Sequence, residues 1–297
     1  MSDRRSPPAD GASAEAIQRH YDVSNAFYAL WLDEATMSYT SAFFADGDTD
    51  ADLGRAQERK IDYLVDQTQG RHADRVLDIG CGWGNTLSRL VNVHGVGTGV
   101  GLTLSLRQAE WVRQQCGPGI EVRVESWRDH VPEQPYQAIY SVESIEAFAR
   151  PGLTRAQKVA IYRALFLAAH SWLTPGGHFG LQMIAYGNSG PEDLDAFISR
   201  EIFPESDLPR LSEVLEAAEG LFEIQNLRND RTHYARTVRA WLSRLRAAKQ
   251  QAIAEVGANV VDTYEKYLRL CVFMFDSGAC DLHRVSFKRI DRPRRAT

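Results

Sequence analysis

The sequence predicts an α/β protein built on a mostly parallel sheet that helices flank on both faces. Strand-like and helix-like runs alternate between residues 75 and 184, a pattern that indicates parallel strands joined by crossover helices. The first predicted strand ends in a glycine-rich turn, which is where a sheet of this class binds its ligand. Helical stretches before and after this region predict a helical cover over the carboxyl edge of the sheet.

Hydrophobic periodicity assigns the elements in chain order. The pattern is helical and aromatic from residue 14 to residue 66. A helix is predicted over residues 155–172, where Thr154 and Gln157 form a capping box at its start. Further helical runs are predicted over residues 193–202, 211–219 and 237–275. Strands are predicted over residues 75–80, 95–103, 121–126, 137–142, 178–184, 222–227 and 282–290.

The glycine-rich turn after the first strand predicts a ligand site. Gly80, Gly82 and Gly84 alternate with other residues, and glycine lets the backbone turn sharply and approach a ligand closely. Dinucleotide sites use a G-x-G-x-x-G spacing and an acidic residue about 20 residues later, and this chain has neither. The spacing therefore predicts a nucleotide-like ligand other than NAD. An ordinary strand-to-helix turn is the alternative explanation.

Composition narrows the functional class. The chain has 297 residues, a net charge of −5 and 25% charged residues, values that are typical of a globular protein and argue against a nucleic-acid binder. No run of 18 apolar residues and no signal-peptide core occur, so stable membrane insertion is not expected. The four cysteines lack C-x-x-C pairing, which predicts a reduced, cytoplasmic protein without a metal site.

Several ordered motifs resemble one known family. The run from Val76 to Gly84 resembles the first motif of class I methyltransferases that use S-adenosylmethionine (SAM). The remaining matches resemble the cyclopropane fatty-acid synthase-like branch, and together they span roughly residues 17–290. These matches are His20–Asp33, Met37–Phe44, Gln57 with Lys60, Gly101–Ser105 with Gln108, Ile202–Pro204, and Tyr234 with Thr237, Val238 and Trp241.

The resemblance implies a Rossmann-like class I methyltransferase fold with a seven-stranded sheet, in one domain over residues 14–290. Its parts would be an N-terminal helical cap (14–70), a cofactor-binding core (71–186), and substrate-covering helices with the last strands (187–290). The exposed N-terminal helix would serve as a contact between copies, so a homo-oligomer is expected.

The resemblance also implies how SAM is held. Gly80, Gly82 and Gly84 would bound the cofactor, with Asp78 holding the loop. The other implied cofactor residues are Thr103 and Gln108 near the ribose, Ser126 and Trp127 at the adenine, and Tyr21, Tyr39 and Thr40 at the methionine end. An indole face can stack on a purine. Burial of Trp127 in the core, and packing of Tyr21 between helix and sheet, are the structural alternatives.

The catalytic residues follow from the same resemblance. Cyclopropane synthases use bound bicarbonate as the base, and the residues implied to hold it are Ser41, Glu146, Gln182, Ile184 and Tyr234. Ser41 and Gln182 replace a thiol and an imidazole, so bicarbonate binding should weaken and activity should not depend on added bicarbonate. Glu146 is then expected to act as the base with Tyr234, and with Tyr21 beside the methyl group. A salt-bridged Glu146 and a core Tyr234 are the structural alternatives.

We expect Ser41, Phe148 and Gln182 to line the substrate pocket. The altered bicarbonate set, the acidic net charge and the absence of the N-terminal segment of membrane-acting synthases favour C-methylation of an alkene in a prenyl or terpenoid chain of a natural-product pathway. The product would form through a carbocation that is deprotonated or cyclised. The alternatives are an N-methyltransferase for a small amine or alkaloid, a cyclopropane synthase for an acyl chain, and a cofactor-binding subunit without activity.

Overall fold

A computed structural model describes residues 11–13, 15–16, 23–193, 197, 202–203 and 205–292. The centre of the fold is a seven-stranded sheet in the order β3-β2-β1-β4-β5-β7-β6. The strands are β1 (Arg75–Ile79), β2 (Thr98–Thr103), β3 (Ile120–Val124), β4 (Tyr136–Val142), β5 (Leu173–Tyr186), β6 (Phe222–Asn229) and β7 (Cys280–Arg289). Strands β1 to β5 run parallel, and β7 pairs antiparallel with both β5 and β6. The predicted, mostly parallel α/β sheet is therefore confirmed.

Helices cover both faces of this sheet and its carboxyl edge. The helices are α1 (Asn25–Ala29), α2 (Leu53–Gln67), α3 (Asn85–Asn92), α4 (Leu106–Gln115), α5 (Arg155–Trp172), α6 (Leu211–Ala218), α7 (Arg231–Ala247), α8 (Lys249–Val256) and α9 (Ala258–Ser277). Residues of α2 and α3 form one core against β1 and β4, and residues of α5 and α6 form a second core on the opposite face. A third core joins α1, α7 and α9 into the cover.

The local sequence signals located α5 well. The structure places this helix at Arg155–Trp172, with both halves of the predicted capping box formed. The Gln157 backbone N–H donates to Thr154 Oγ1 at 3.3 Å, and the Thr154 N–H donates to Gln157 Oε1 at 2.9 Å. Each bond satisfies a donor that the helix start would otherwise leave unpaired. For this reason the first residues of the helix could be predicted from the sequence.

The cap departs from the helical expectation for residues 14–66. Among the described residues of this stretch, the chain is irregular between α1 and the short 3₁₀ turn at Asp50–Asp52. The Asp33 carboxylate closes a turn by accepting hydrogen bonds from the N–H groups of Thr36 at 2.7 Å and Ser38 at 3.2 Å. A short polar side chain that bonds nearby backbone in this way competes with helix formation.

The predicted helical run over residues 237–275 is divided into α7, α8 and α9. Gly257 separates α8 from α9 with a φ of 86°, a left-handed conformation that breaks a right-handed helix. Most of the helix predicted over residues 193–202 lies outside the described residues. None of the helices in the described part of the chain is long and apolar enough to span a membrane.

Candidate active site

One cavity of about 910 Å³ lies at the carboxyl edge of the sheet, between the strand-end loops and the helical cover. Its sheet side is formed by the loops after β1, β2, β3 and β4. Its cover side is formed by α7, α9 and residues 37–40, and it is rich in aromatic and sulfur-containing side chains. The parallel strands direct their loops to the same edge, which explains why separated motifs meet here.

Two of the three predicted glycines border the cavity. Gly80 has a φ of 82°, and a Cβ added there would lie 2.5 Å from the Cβ of Ser144, so only glycine fits between the ends of β1 and β4. Gly82 has a φ of 54°, and a Cβ added there would meet no protein atom within 4 Å. Because Gly82 lines the cavity, its missing side chain is space that a ligand can occupy.

Gly84 differs from the other two glycines in its position. Gly84 does not line the cavity, and it is the residue before α3 with a φ of 80°. A Cβ added there would lie 2.9 Å from both Cys116 and Val112. The third glycine therefore lets α3 pack closely on the region around the end of α4.

Asp78, the penultimate residue of β1, presents an unsatisfied group at the edge of the cavity. The residue is 2% exposed, and its Oδ1 has no hydrogen-bond partner among the described residues. Burial raises the pKa of Asp78 to about 7, against the opposing charge of Lys60. A buried carboxylate without donors is costly, so this position fits a ligand that supplies hydrogen-bond donors.

Replacing Asp78 with asparagine should stabilise the cofactor-free protein in a pH-dependent manner. A folded-state pKa of about 7 lies above the ordinary aspartate pKa of 3.8, so the wild type loses stability as pH rises between these two values. Asp78→Asn removes that loss. Its free energy of unfolding should therefore exceed that of the wild type by an amount that grows from pH 5 to pH 8, toward an upper limit of about 4 kcal/mol. Urea denaturation at both pH values measures it, and an equal effect at pH 5 and pH 8 would contradict the assignment.

The predicted residues after β2 and β3 also reach the cavity wall. Thr103 Oγ1 donates to Gln108 Oε1 at 2.8 Å, which joins the end of β2 to the first turn of α4. Ser126 and Trp127 follow β3, and the indole is 7% exposed and packs against Phe148 with ring centroids 5.4 Å apart. Trp127 thus lines the cavity and belongs to the core at the same time.

Tyr39 and Thr40 line the cover side of the cavity. Thr40 Oγ1 accepts a hydrogen bond from Lys60 Nζ at 3.0 Å, which ties the cap to α2. Burial lowers the pKa of Lys60 to about 8, although nearby Glu143 opposes this effect. Tyr21 lies outside the described residues.

A pair of carboxylates faces the cavity beyond the end of β4. Glu146 accepts a hydrogen bond from the backbone N–H of Ile184 at 2.5 Å, while its Oε2 has no partner among the described residues. Burial, followed by the charge of Glu143, raises the pKa of Glu146 to about 8. At neutral pH Glu146 is therefore mostly protonated when Glu143 is ionised.

Sequence reasoning missed Glu143, the carboxylate of the pair that accepts more hydrogen bonds. Its Oε1 accepts hydrogen bonds from the Ser41 N–H at 2.8 Å and from Gln182 Nε2 at 2.6 Å. Its Oε2 accepts from the Tyr234 hydroxyl at 2.6 Å. Glu143 has a φ of 52°, a left-handed conformation that side chains rarely adopt and that often accompanies functional sites. No sequence motif predicts this left-handed backbone conformation at Glu143.

Of the three residues predicted at the substrate pocket, Phe148 lines the cavity, whereas Ser41 and Gln182 do not. Ser41 and Gln182 are fully buried and lie behind Glu143, whose carboxylate they contact. Arg284 Nε donates to Gln182 Oε1 at 2.8 Å, which leaves the Gln182 amide nitrogen to face Glu143. These residues support the carboxylate and are separated from the cavity by it.

The comparisons with known proteins agree with this geometry. Residues 10–285 match the sequence profile of the family described as mycolic acid cyclopropane synthetase. The chain belongs to this family. It is 33% identical over 288 residues to cyclopropane mycolic acid synthase 1 of Mycobacterium tuberculosis, covering 92% of this chain and 96% of the relative. It is 31% identical over 279 residues to a probable fatty acid methyltransferase of Pseudomonas putida, covering 92% and 68% respectively.

Solved structures give the same assignment. The cyclopropane synthase MmaA2 from Mycobacterium tuberculosis superposes with a TM-score of 0.82 and 29% identity, covering 94% of this chain and 99% of that one. The mycolic acid cyclopropane synthase CmaA1, complexed with SAH and CTAB, superposes with a TM-score of 0.81 and 32% identity over the same shares. A coclaurine N-methyltransferase shares the fold at 19% identity, with a TM-score of 0.77, and covers 95% of this chain and 84% of that one.

The enzyme is accordingly a SAM-dependent methyltransferase. The cavity fits the cofactor on two observations, the open space at Gly82 and the unpartnered carboxylate oxygen of Asp78. The residues on its wall that would hold SAM are Tyr39, Thr40, Asp78, Gly80, Gly82, Thr103, Gln108, Ser126 and Trp127. The described residues contain no cluster of side chains suited to a metal ion.

Proposed function

We propose that the enzyme methylates a carbon–carbon double bond of an apolar acyl chain and closes a cyclopropane ring as a proton is lost. The observation that carries this proposal is the position of Glu143, Glu146 and Tyr234. They lie on the wall of a cavity that runs from the glycine turn to an apolar region under the cover. Cyclopropane formation requires a base beside the apolar chain. Methyl transfer to a heteroatom depends less on such a base.

When bound, SAM supplies a methyl group on a positively charged sulfur, which is electrophilic without activation by the protein. An alkene is a weak nucleophile, and methylation leaves positive charge on its second carbon. Aromatic faces stabilise such charge through their quadrupole. Tyr39, Tyr234, Tyr267 and Phe275 line the cavity, and Tyr234 stacks on Phe275 with centroids 4.3 Å apart. These rings form a wall that stabilises a cation and excludes water.

The charges around the cavity favour an uncharged chain as substrate. The cations on its described wall are Lys60, which is bonded to Thr40, and Arg128, which lies over the Trp127 ring at 4.6 Å. The apolar region near Tyr267, Cys271 and Met274 lacks a described cation that could pair with a phosphate. Together with relatives named for fatty-acid and mycolic-acid chemistry, this favours an acyl chain over the prenyl or terpenoid chain expected from the sequence.

Incubation with methyl-labelled SAM tests the proposal. The trial substrates are vesicles of an unsaturated phospholipid, an unsaturated acyl thioester, a prenyl alcohol and a benzylisoquinoline amine. We expect label in an acyl product that has gained one CH2 and lost its double bond. Its NMR spectrum should show cyclopropane signals. Label in a methylated alkene would favour the prenyl alternative, and label on nitrogen would favour the amine alternative. Either result alone would contradict cyclopropane formation.

A further inference from the structure

The groups around Glu143 form a cradle for an anion. Three donors from three separate parts of the chain converge on one carboxylate: the Ser41 N–H, Gln182 Nε2 and the Tyr234 hydroxyl. Ser41, Gln182 and Tyr234 are three of the residues that the family resemblance assigns to bound bicarbonate. In this protein they are all engaged by a carboxylate that belongs to the chain. The Glu143 carboxylate therefore occupies the cradle.

The surroundings favour the charged form of Glu143 over that of Glu146. Burial raises the pKa of Glu143, but the three hydrogen bonds and the charge of Lys60 act in the opposite direction. Arg284 adds a second cation behind Gln182, and its own pKa responds to Glu143. Glu146 receives the Ile184 N–H, and no neighbouring cation contributes to its pKa shift. Of the two carboxylates, Glu143 is therefore the one whose charged form receives more hydrogen bonds and the nearer cation, as a proton acceptor requires.

We infer that the Glu143 carboxylate is the proton acceptor of the reaction and takes the place of a free anion in the cradle, an inference that rests on the proposed function. The methyl carbon bonds to one alkene carbon as the C–S electron pair returns to sulfur. Glu143 then takes a proton from the transferred methyl group, and that C–H pair forms the third bond of the ring. Glu143 becomes a neutral acid and releases the proton to water before the next turnover. Glu146 and Tyr234 act as positioning residues.

Glu143→Gly tests this inference without endangering the fold. The left-handed φ of 52° suits glycine better than glutamate, which offsets part of the cost of leaving three donors without their carboxylate, so the variant should remain folded at the assay temperature. In bicarbonate-depleted buffer its turnover should fall by at least about 10²-fold, the lower range for general base catalysis. Added bicarbonate or formate should restore turnover saturably by about tenfold or more, while the wild type should not respond.

A second readout does not depend on substrate. Bicarbonate or formate should raise the melting temperature of cofactor-free Glu143→Gly, because the emptied cradle binds the anion, and should leave the wild type unchanged. Glu143→Gln fills the same space without basicity, so it should lose turnover and gain nothing from the anions. Glu213→Gln removes a buried carboxylate that pairs with Lys158 outside the cavity, and its turnover should stay near wild type.

Each remaining outcome overturns the inference. Full turnover of Glu143→Gly in depleted buffer would show that another group takes the proton. Anion binding without recovery of turnover would make Glu143 structural. Rescue of Glu146→Gly in place of Glu143→Gly would assign the proton to Glu146. A wild type that methylates no alkene would overturn the proposed function and the proton-acceptor role together, and the melting shift would still report separately whether the cradle binds anions.

Discussion

Gly82→Val is expected to abolish the stabilisation that S-adenosylhomocysteine (SAH) confers on the wild type. A ligand that binds only the folded state stabilises it by about 2.7 kcal/mol at a hundredfold excess over its Kd. A valine side chain at residue 82 would stand in cavity space that holds no protein atom within 4 Å of the Cβ. We therefore expect the Kd for SAH to rise by at least about 10²-fold, equivalent to about 2.7 kcal/mol.

Thermal denaturation with and without SAH measures this effect, and NAD serves as a ligand that should not stabilise the wild type. Gly117→Val is the matched control, since Gly117 has a φ of 73°, has open space at its Cβ and lies away from the cavity. Both variants should carry a similar backbone penalty of about 1–2 kcal/mol. A normal SAH shift in Gly82→Val would show that the glycine turn does not approach the cofactor.

Arg284→Met is expected to destabilise the protein by about 3–5 kcal/mol, the range found when one partner of a buried ion pair is removed. Arg284 is 1% exposed and donates to Asp230 Oδ2 at 2.5 Å and to Gln182 Oε1 at 2.8 Å. It also donates to the backbone carbonyls of Ser41 at 3.2 Å and Ala42 at 3.1 Å. Methionine fills much of the space but removes the donor that these acceptors share, and Asp230 keeps the partly exposed Arg228 as a partner.

Urea denaturation compares this variant with Arg228→Met, which removes another cation from the same Asp230. The Arg228 side chain is 41% exposed, so its loss should cost less than about 1 kcal/mol. Adding Asp230→Leu to Arg284→Met should recover part of the loss, since it removes a buried carboxylate that has lost its buried cation. Equal effects of Arg284→Met and Arg228→Met would show that burial does not set the strength of this pair.

The features that were predictable from the sequence have local causes. Thr154 and Gln157 determine the start of α5, because their side chains, three residues apart, cap the helix. The turn after β1 is recognisable because Gly80 and Gly82 adopt backbone conformations that few other residues accept. Motif spacing also indicated that Glu146 and Tyr234 belong near the site, and the structure places both on the cavity wall.

The same motifs do not distinguish the residues that line the cavity from the residues behind them. Ser41 and Gln182 occupy motif positions, and yet neither reaches the cavity, because Glu143 stands in front of both. Gly84 continues the glycine spacing, but its missing side chain admits Cys116 and Val112. A motif gives the position of a residue in the chain. The residues packed around it in space determine whether its side chain reaches the cavity.

The sequence by itself determined the α/β class, the glycine turn and the family of this enzyme, since each depends on residues close together in the chain. Only the tertiary structure decided that Glu143 is held at the centre of the site. Its three donors come from residues 102, 39 and 91 positions away. They converge because the cap, β5 and α7 meet at the carboxyl end of β4, and this packing also holds the Glu143 backbone in its left-handed conformation. A carboxylate becomes a base through the donors and cations around it, and these are a property of the packed molecule.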